Sequence, residues 1–136
     1  MTTGPAGGCL CGAVGLRLTL PSKWVAHCHC TLCQRAHGAP FVTWAGFDAA
    51  QVAIADPDGC LRWYRSSAHG ERAHCGRCGT PLLFRSPRWP GELHVARACI
   101  PAPLDREPEA HVHWASRVAW LDWHDDLPRV AGDGAA

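Results

Sequence analysis

The chain has almost no lysine. Among 136 residues there is one, Lys23, against twelve arginines, and the net charge is only +1. The arginines are spread along the chain rather than gathered in a basic stripe, which argues against a nucleic-acid partner. Apolar runs are also short. None approaches the roughly 20 residues needed to span a bilayer, so no membrane partner is expected. The start, Met-Thr-Thr-Gly-Pro-Ala-Gly-Gly, carries neither the basic nor the apolar segment of a secretory leader. The expected location is therefore cytoplasmic, in a reducing compartment where disulfides are rare. There is no internal repeat and no low-complexity tract. Eleven prolines and fourteen glycines, scattered throughout, exclude long helices.

What remains is the composition of one globular domain spanning 1–136, with a core over about 4–129 and a small, polar tail at 130–136 expected to fray. Short stretches of β character recur at about ten-residue spacing. Val14, Leu16, Leu18 and Leu20 alternate as one half-buried strand would. Further strands are expected at Trp24 to His29, Phe41 to Phe47, Cys60 to Arg65, Leu82 to Arg85 and Leu93 to Cys99. Thr31 to His37 reads as one short helical segment stopped by Gly38, and Pro101 to Pro108 as a loop. The fold class is mainly β, built from antiparallel sheet with little helix.

Cysteine is abundant. Seven of the nine fall into three groups: Cys9-x-Cys11, Cys28-x-Cys30-x-x-Cys33 and Cys75-x-x-Cys78. In a reducing compartment this points to metal rather than to disulfides, and an odd total fits a full disulfide framework poorly. The two-residue gap of Cys75-Gly76-Arg77-Cys78-Gly79 lets the chain turn so that both sulfurs face one ion, and Gly79 supplies the left-handed backbone such a turn wants. The competing reading, a redox pair, needs a βαβ setting that the sequence does not offer. Cys9 and Cys11, at i and i+2, share one face of an extended chain, as do Cys28 and Cys30. A turn after Thr31 brings Cys33 round to them. His27 and His29 then point to the opposite face, as packing groups rather than ligands.

Seven thiolates exceed the four that one tetrahedral zinc takes. Cys9 and Cys11 with Cys75 and Cys78 would make a complete set, although spacing alone does not fix which groups share an ion. The triplet would then keep an open position, where chemistry can occur. Alternatively a remote Cys60, Cys99 or His37 closes it as a second structural site. An iron site of the rubredoxin kind needs two cysteine knuckles, and only Cys75 to Cys78 reads as one.

Three stretches together resemble a known family. Gly8-Cys9-Leu10-Cys11-Gly12-Ala13-Val14, Cys28-His29-Cys30-Thr31-Leu32-Cys33-Gln34-Arg35 and Arg72-Ala73-His74-Cys75-Gly76-Arg77-Cys78-Gly79-Thr80-Pro81-Leu82 are similar to the glutathione-dependent formaldehyde-activating (GFA) family. Trp120-Leu121-Asp122-Trp123 and Asp126-Leu127-Pro128-Arg129 resemble its C-terminal segment. The resemblance implies a β-tent of layered antiparallel sheets and two Zn2+ per chain. A structural zinc would sit on Cys9, Cys11, Cys75 and Cys78, and a functional zinc on Cys28, Cys30 and Cys33. It implies a carbon–sulfur lyase that condenses formaldehyde with glutathione to give S-hydroxymethylglutathione. One departure is visible: His74 stands where family members often carry Phe.

An enzyme of this kind acts on a small-molecule thiol such as glutathione, whose two carboxylates suit arginine. Arg35, His37, Arg62, Arg65, Arg72 and Arg97 are the candidates for holding it, with Trp44 and Phe41 as candidate pocket walls. The alternative is a zinc-stapled β module that binds a protein or a small thiol without turnover.

Overall fold

The computed structural model describes residues 4–134. Among these residues, ten strands form two sheets. They are β1 (Ala6–Gly8), β2 (Gly15–Leu18), β3 (Trp24–Cys28), β4 (Val42–Asp48), β5 (Val52–Ala55), β6 (Leu61–Arg65), β7 (Glu71–Cys75), β8 (Pro81–Arg85), β9 (Glu92–Ala96) and β10 (His111–Val112). One sheet runs β1-β2-β5 and the other β10-β3-β4-β9-β8-β7-β6. Every pairing is antiparallel except β10 on β3, which is parallel. Among the described residues there is one α-helix, α1 (Thr31–His37), which follows β3. The expectation of a mainly β chain with layered, largely antiparallel sheets holds. Among the described residues, no helix is long and apolar enough to cross a membrane.

The two faces of the long sheet do different work. Strand alternation turns Val25, Ala45, Phe47, Ala73, Leu83, Leu93 and Val95 toward the short sheet, where they pack with Val14, Leu16, Leu18 and Val52 as the main core. The opposite face carries a second cluster that includes Cys28, Cys33, Val42, Trp44 and Ala96. One cross-strand row on that face runs through Trp24, Gly46, His94, Phe84 and Arg72, each opposite the next. Gly46 has a specific reason to be glycine. A Cβ there would fall 2.3–2.7 Å from three atoms of the Trp24 indole, which lies across the gap and meets His94 edge-on at 4.6 Å.

The expected helix occurs at Thr31–His37 and ends on Gly38 in the left-handed conformation, φ 60° and ψ 41°. Pro101 to Pro108 is loop as expected. Three details differ. The first expected strand stops at Leu18, so Leu20 is 38% exposed, and Pro21 has no amide to prolong the ladder. Leu93 to Cys99 divides into β9 and a 3₁₀ turn at Arg97–Cys99. The segment from residue 130 is not loose where it is described. The Val130 amide donates to His111 O at 2.8 Å, and the His113 and Trp114 amides donate to Gly132 O and Val130 O. Residues 135 and 136 lie outside the described residues.

Filling the Gly46 gap should be costly, because overpacking a tight site typically costs about 1–3 kcal/mol. Gly46→Ala is expected to lower stability by that amount in urea titration and to shift the tryptophan emission as Trp24 is displaced.

Candidate metal centres

The first cysteine group sits where the two sheets meet. Cys9 and Cys11 lie in the turn between β1 and β2, Cys75 ends β7, and Cys78 lies in the turn to β8. The four sulfurs all lie within 4.8 Å of one another. Cys9 and Cys11 are 3.7 Å apart and Cys11 and Cys75 are 3.8 Å apart. Zinc–sulfur bonds of ~2.3 Å in a tetrahedron set sulfurs about 3.8 Å apart, so the donor set fits the ion that it suggests.

The turns supply donors as well as sulfurs. The Val14 amide donates to Cys9 Sγ at 3.3 Å and the Arg77 amide to Cys75 Sγ at 3.4 Å. Gly79 adopts φ 81°, as the spacing predicts, and its amide closes the turn on Cys75 O at 2.8 Å. The Thr80 hydroxyl lies 3.2 Å from Cys78 Sγ and accepts the Leu10 amide at 3.0 Å, linking the two turns. That hydroxyl, with the amides of Thr80 and Cys11, pulls the Cys78 thiol down to about 5. A thiol so readily ionised is a ready ligand.

The second group lies on the other face of the long sheet. Cys28 ends β3, Cys30 is the N-cap of α1, and Cys33 is the buried residue of its first turn. Cys28 and Cys33 sulfurs are 3.5 Å apart. Thiols of Cys28 and Cys33 both interact with Cys30 and pull its pKa far down, aided by the amides of Cys33 and Leu32. Cys28 is pushed far up by the same contacts. Among the described residues, the four-cysteine set is the one group of three or more metal-ligating side chains found with its donor atoms all within 4.8 Å of one another.

A cavity of about 890 Å³ opens on this trio, lined by Cys28, Cys30 and Cys33 together with Trp44, Phe84 and Arg72. Arg72 is the one arginine candidate that meets the sulfurs. Its Nη atoms donate to Cys33 Sγ at 3.5 and 3.6 Å, its Nε donates to Ser66 Oγ at 3.1 Å, and its guanidinium lies 5.1 Å from the centre of the Phe84 ring. Trp44 lines the cavity as expected. Phe41 does not, because it packs against His27, His29 and Trp123. Arg62 turns to Gly59 O and Leu61 O, Arg65 to Ala68 O and Arg97 to Ile100 O, while Arg35 is exposed. Cys60 lies in the main core, and Cys99 donates to Pro81 O at 3.3 Å. His37 meets Trp44 edge-on, its ring centre 5.3 Å away. His74 lies at an irregularity in the β7–β8 register, opposite Arg62 and Pro81.

His27 and His29 are packing groups, as alternation predicts. His27 Nδ1 pairs with Thr43 Oγ1 at 2.8 Å. His29, fully buried, belongs to a chain of contacts that single residues do not announce. Its Nε2 lies 2.8 Å from His111 Nδ1, and His111 Nε2 lies 3.0 Å from the Asp125 carboxylate. A carboxylate only accepts, so with His111 neutral its Nδ1 receives the proton of His29 Nε2. Gln34 adds a clamp by donating to His29 O at 2.7 Å and Ser116 O at 3.0 Å. This network holds the end of β3 and the start of α1, the two elements that carry the triplet. Against its burial, the bonds from His111 and the Leu127 amide hold Asp125 down to about 2.

A family model described as glutathione-dependent formaldehyde-activating enzyme matches residues 4–116. A protein of Halomonas elongata, provisionally named a glutathione-dependent formaldehyde-activating enzyme, is 28% identical over 129 residues, covering 85% of this chain and 78% of that protein. A Schizosaccharomyces pombe protein named as an uncharacterized lyase is 32% identical over 78 residues, covering 57% of this chain and 55% of that protein. A crystal structure of a Rhodobacter sphaeroides protein superposes with a TM-score of 0.61 at 22% identity, covering 74% of this chain and 92% of that one, a likeness of fold.

Burial lowers the pKa of both His29 and His37 to about 4, with repulsion from His111 and from Arg72 adding to it respectively. Unfolded histidines titrate near 6.5. The unfolded chain therefore takes up these protons first, and stability falls as pH drops from about 6.5 toward about 4. Urea midpoints measured across that window should decline less steeply in His37→Gln, by about one proton's share of the slope.

Proposed function

Because this chain belongs to the glutathione-dependent formaldehyde-activating enzyme family, we propose that it is a zinc-dependent carbon–sulfur lyase. It joins formaldehyde, or a similarly small aldehyde, to the sulfur of glutathione or another thiol and releases an S-hydroxymethyl adduct. The observation that carries this reading is the three-cysteine group opening on a cavity, with a guanidinium against one of its sulfurs. In this reading Cys9, Cys11, Cys75 and Cys78 hold a structural zinc, and Cys28, Cys30 and Cys33 hold a second whose fourth position is left for substrate. Zinc so held supplies a cation that keeps a bound thiol ionised at neutral pH.

The balance of the reaction is simple. The thiolate sulfur forms a bond to the carbonyl carbon, the C=O π pair moves to oxygen, and that oxygen takes a proton. A free thiol with pKa near 8.5 is already a few per cent ionised at pH 7, so complete ionisation gains at most about thirtyfold. The rest must come from holding the two reactants together. Three cysteine thiolates beside a divalent cation leave one excess negative charge, which disfavours activating water and makes a second anion costly. Arg72 offsets that charge through its contact with Cys33, and its guanidinium also lies over the Phe84 ring.

The two cysteine groups should separate under mutation. Structural zinc contributes about 10–16 kcal/mol in small zinc domains, against a typical domain stability of about 5–15 kcal/mol. Cys75→Ser is expected to leave the chain unfolded. Cys30→Ser should keep the fold while losing one zinc per chain and the turnover of formaldehyde with thiol. Metal analysis, circular dichroism and adduct formation check each arm. Full zinc loading with no turnover of any thiol would leave a zinc-stapled binding module instead.

A further inference from the structure

The cavity is far larger than a one-carbon aldehyde, so most of its volume belongs to the body of the thiol. Its wall is aromatic and continuous. Trp44 and Phe84 lie 6.0 Å apart between ring centres, Phe84 and Trp89 6.2 Å, Trp89 and His94 5.3 Å, and His94 and Trp24 4.6 Å, and all five rings line the cavity. This is the face produced by the Trp24–Gly46–His94–Phe84 row, so the sheet register builds it directly.

The charges along the same wall are few and mostly engaged. The permanent cations are Arg72 and Arg88, and the carboxylates are Glu92, Glu109 and Asp133. Arg88 pairs with Asp133 and lies over Trp89. Glu92 binds Lys23 at 3.0 Å and His94 at 3.0 Å, and Glu109 binds Arg106 at 3.3 Å. Arg72 differs. Among the described residues no carboxylate lies within ion-pair distance of it, and its partners are a serine hydroxyl, an aromatic ring and the sulfur of Cys33. One guanidinium beside the sulfur site, with no carboxylate partner and only one N–H of each Nη turned to Cys33, suits one anionic group, not two.

We propose that the thiol this site takes carries a single carboxylate and an apolar or aromatic body, with Arg72 binding the carboxylate and the Trp44–Phe84–Trp89 wall binding the body. Glutathione, with two carboxylates, an ammonium group and no apolar body, fits this wall poorly. The inference rests on the reading that Cys28, Cys30 and Cys33 present a site for a thiol.

Isothermal titration of the zinc-loaded full chain with three thiols tests it without relying on turnover. The probes are N-(phenylacetyl)cysteine, with one carboxylate and a phenyl group, glutathione, and 2-phenylethanethiol, which has no carboxylate. N-(phenylacetyl)cysteine is expected to bind at least about tenfold tighter than glutathione. Arg72→Gln should cost N-(phenylacetyl)cysteine about tenfold or more and cost 2-phenylethanethiol distinctly less. Glutathione binding as tightly as N-(phenylacetyl)cysteine would overturn the substrate class while leaving the thiol site standing. Equal losses for both probes in Arg72→Gln would overturn the carboxylate contact. If the zinc-loaded chain binds none of the three, the thiol site itself fails, and the inference with it.

Discussion

Four cysteine sulfurs gathered within 4.8 Å tie the short sheet to the far end of the long one. Two of them come from the β1–β2 turn and two from the end of β7 and the turn that follows it, more than sixty residues later in the chain. Cys9 and Cys75 are also part of the inter-sheet core. The cluster thus adds a polar, metal-ready contact between distant segments to the apolar core that the two sheets share. Because these turns are built from backbone amides aimed at sulfur, charge on the thiolates is supported before any cation arrives.

The other face of the long sheet follows from this. With Val25, Ala45, Phe47 and Val95 committed to the core, strand alternation sends Trp24, Trp44, His94, Phe84 and Arg72 outward together. The same alternation delivers Cys28 to that face, and α1 brings Cys33 back to it. Site and core are therefore two readings of one register, and a one-residue slip would exchange them. Gly46 shows how closely the row is fitted, since Trp24 occupies the space a side chain would need.

Much of this could be read in the sequence. Cysteine spacing placed the turn at Gly79, and the short apolar and aromatic runs marked β3, β4, β6 and β8 to within a residue, and β9 apart from the 3₁₀ turn that replaces its expected last three residues. The helix from Thr31 to His37 and its stop at Gly38 were readable because a left-handed C-cap favours glycine. Four strands were not. Ala6–Gly8 has no side chains large enough to alternate, Val52–Ala55 alternates weakly, Glu71–Cys75 mixes charge with alanine, and His111–Val112 is two residues long. Arg72 looked like any other arginine because its role depends on the β7–β8 pairing, which no local pattern encodes. The Asp125–His111–His29 chain was hidden for the same reason, its members being brought together by the parallel pairing of β10 on β3 and by the bridge from His111 to Arg129.

The functional account depends on dividing seven thiolates unequally between two cations, so that one is sealed and the other keeps a vacancy for a substrate sulfur. Zinc K-edge X-ray absorption on the loaded protein measures this directly, by counting sulfurs at about 2.3 Å. The account predicts that the seven cysteine sulfurs, shared over two ions, are joined by one more when thiol is added. A sulfur shell already complete before thiol, or one unchanged by saturating thiol, would contradict it.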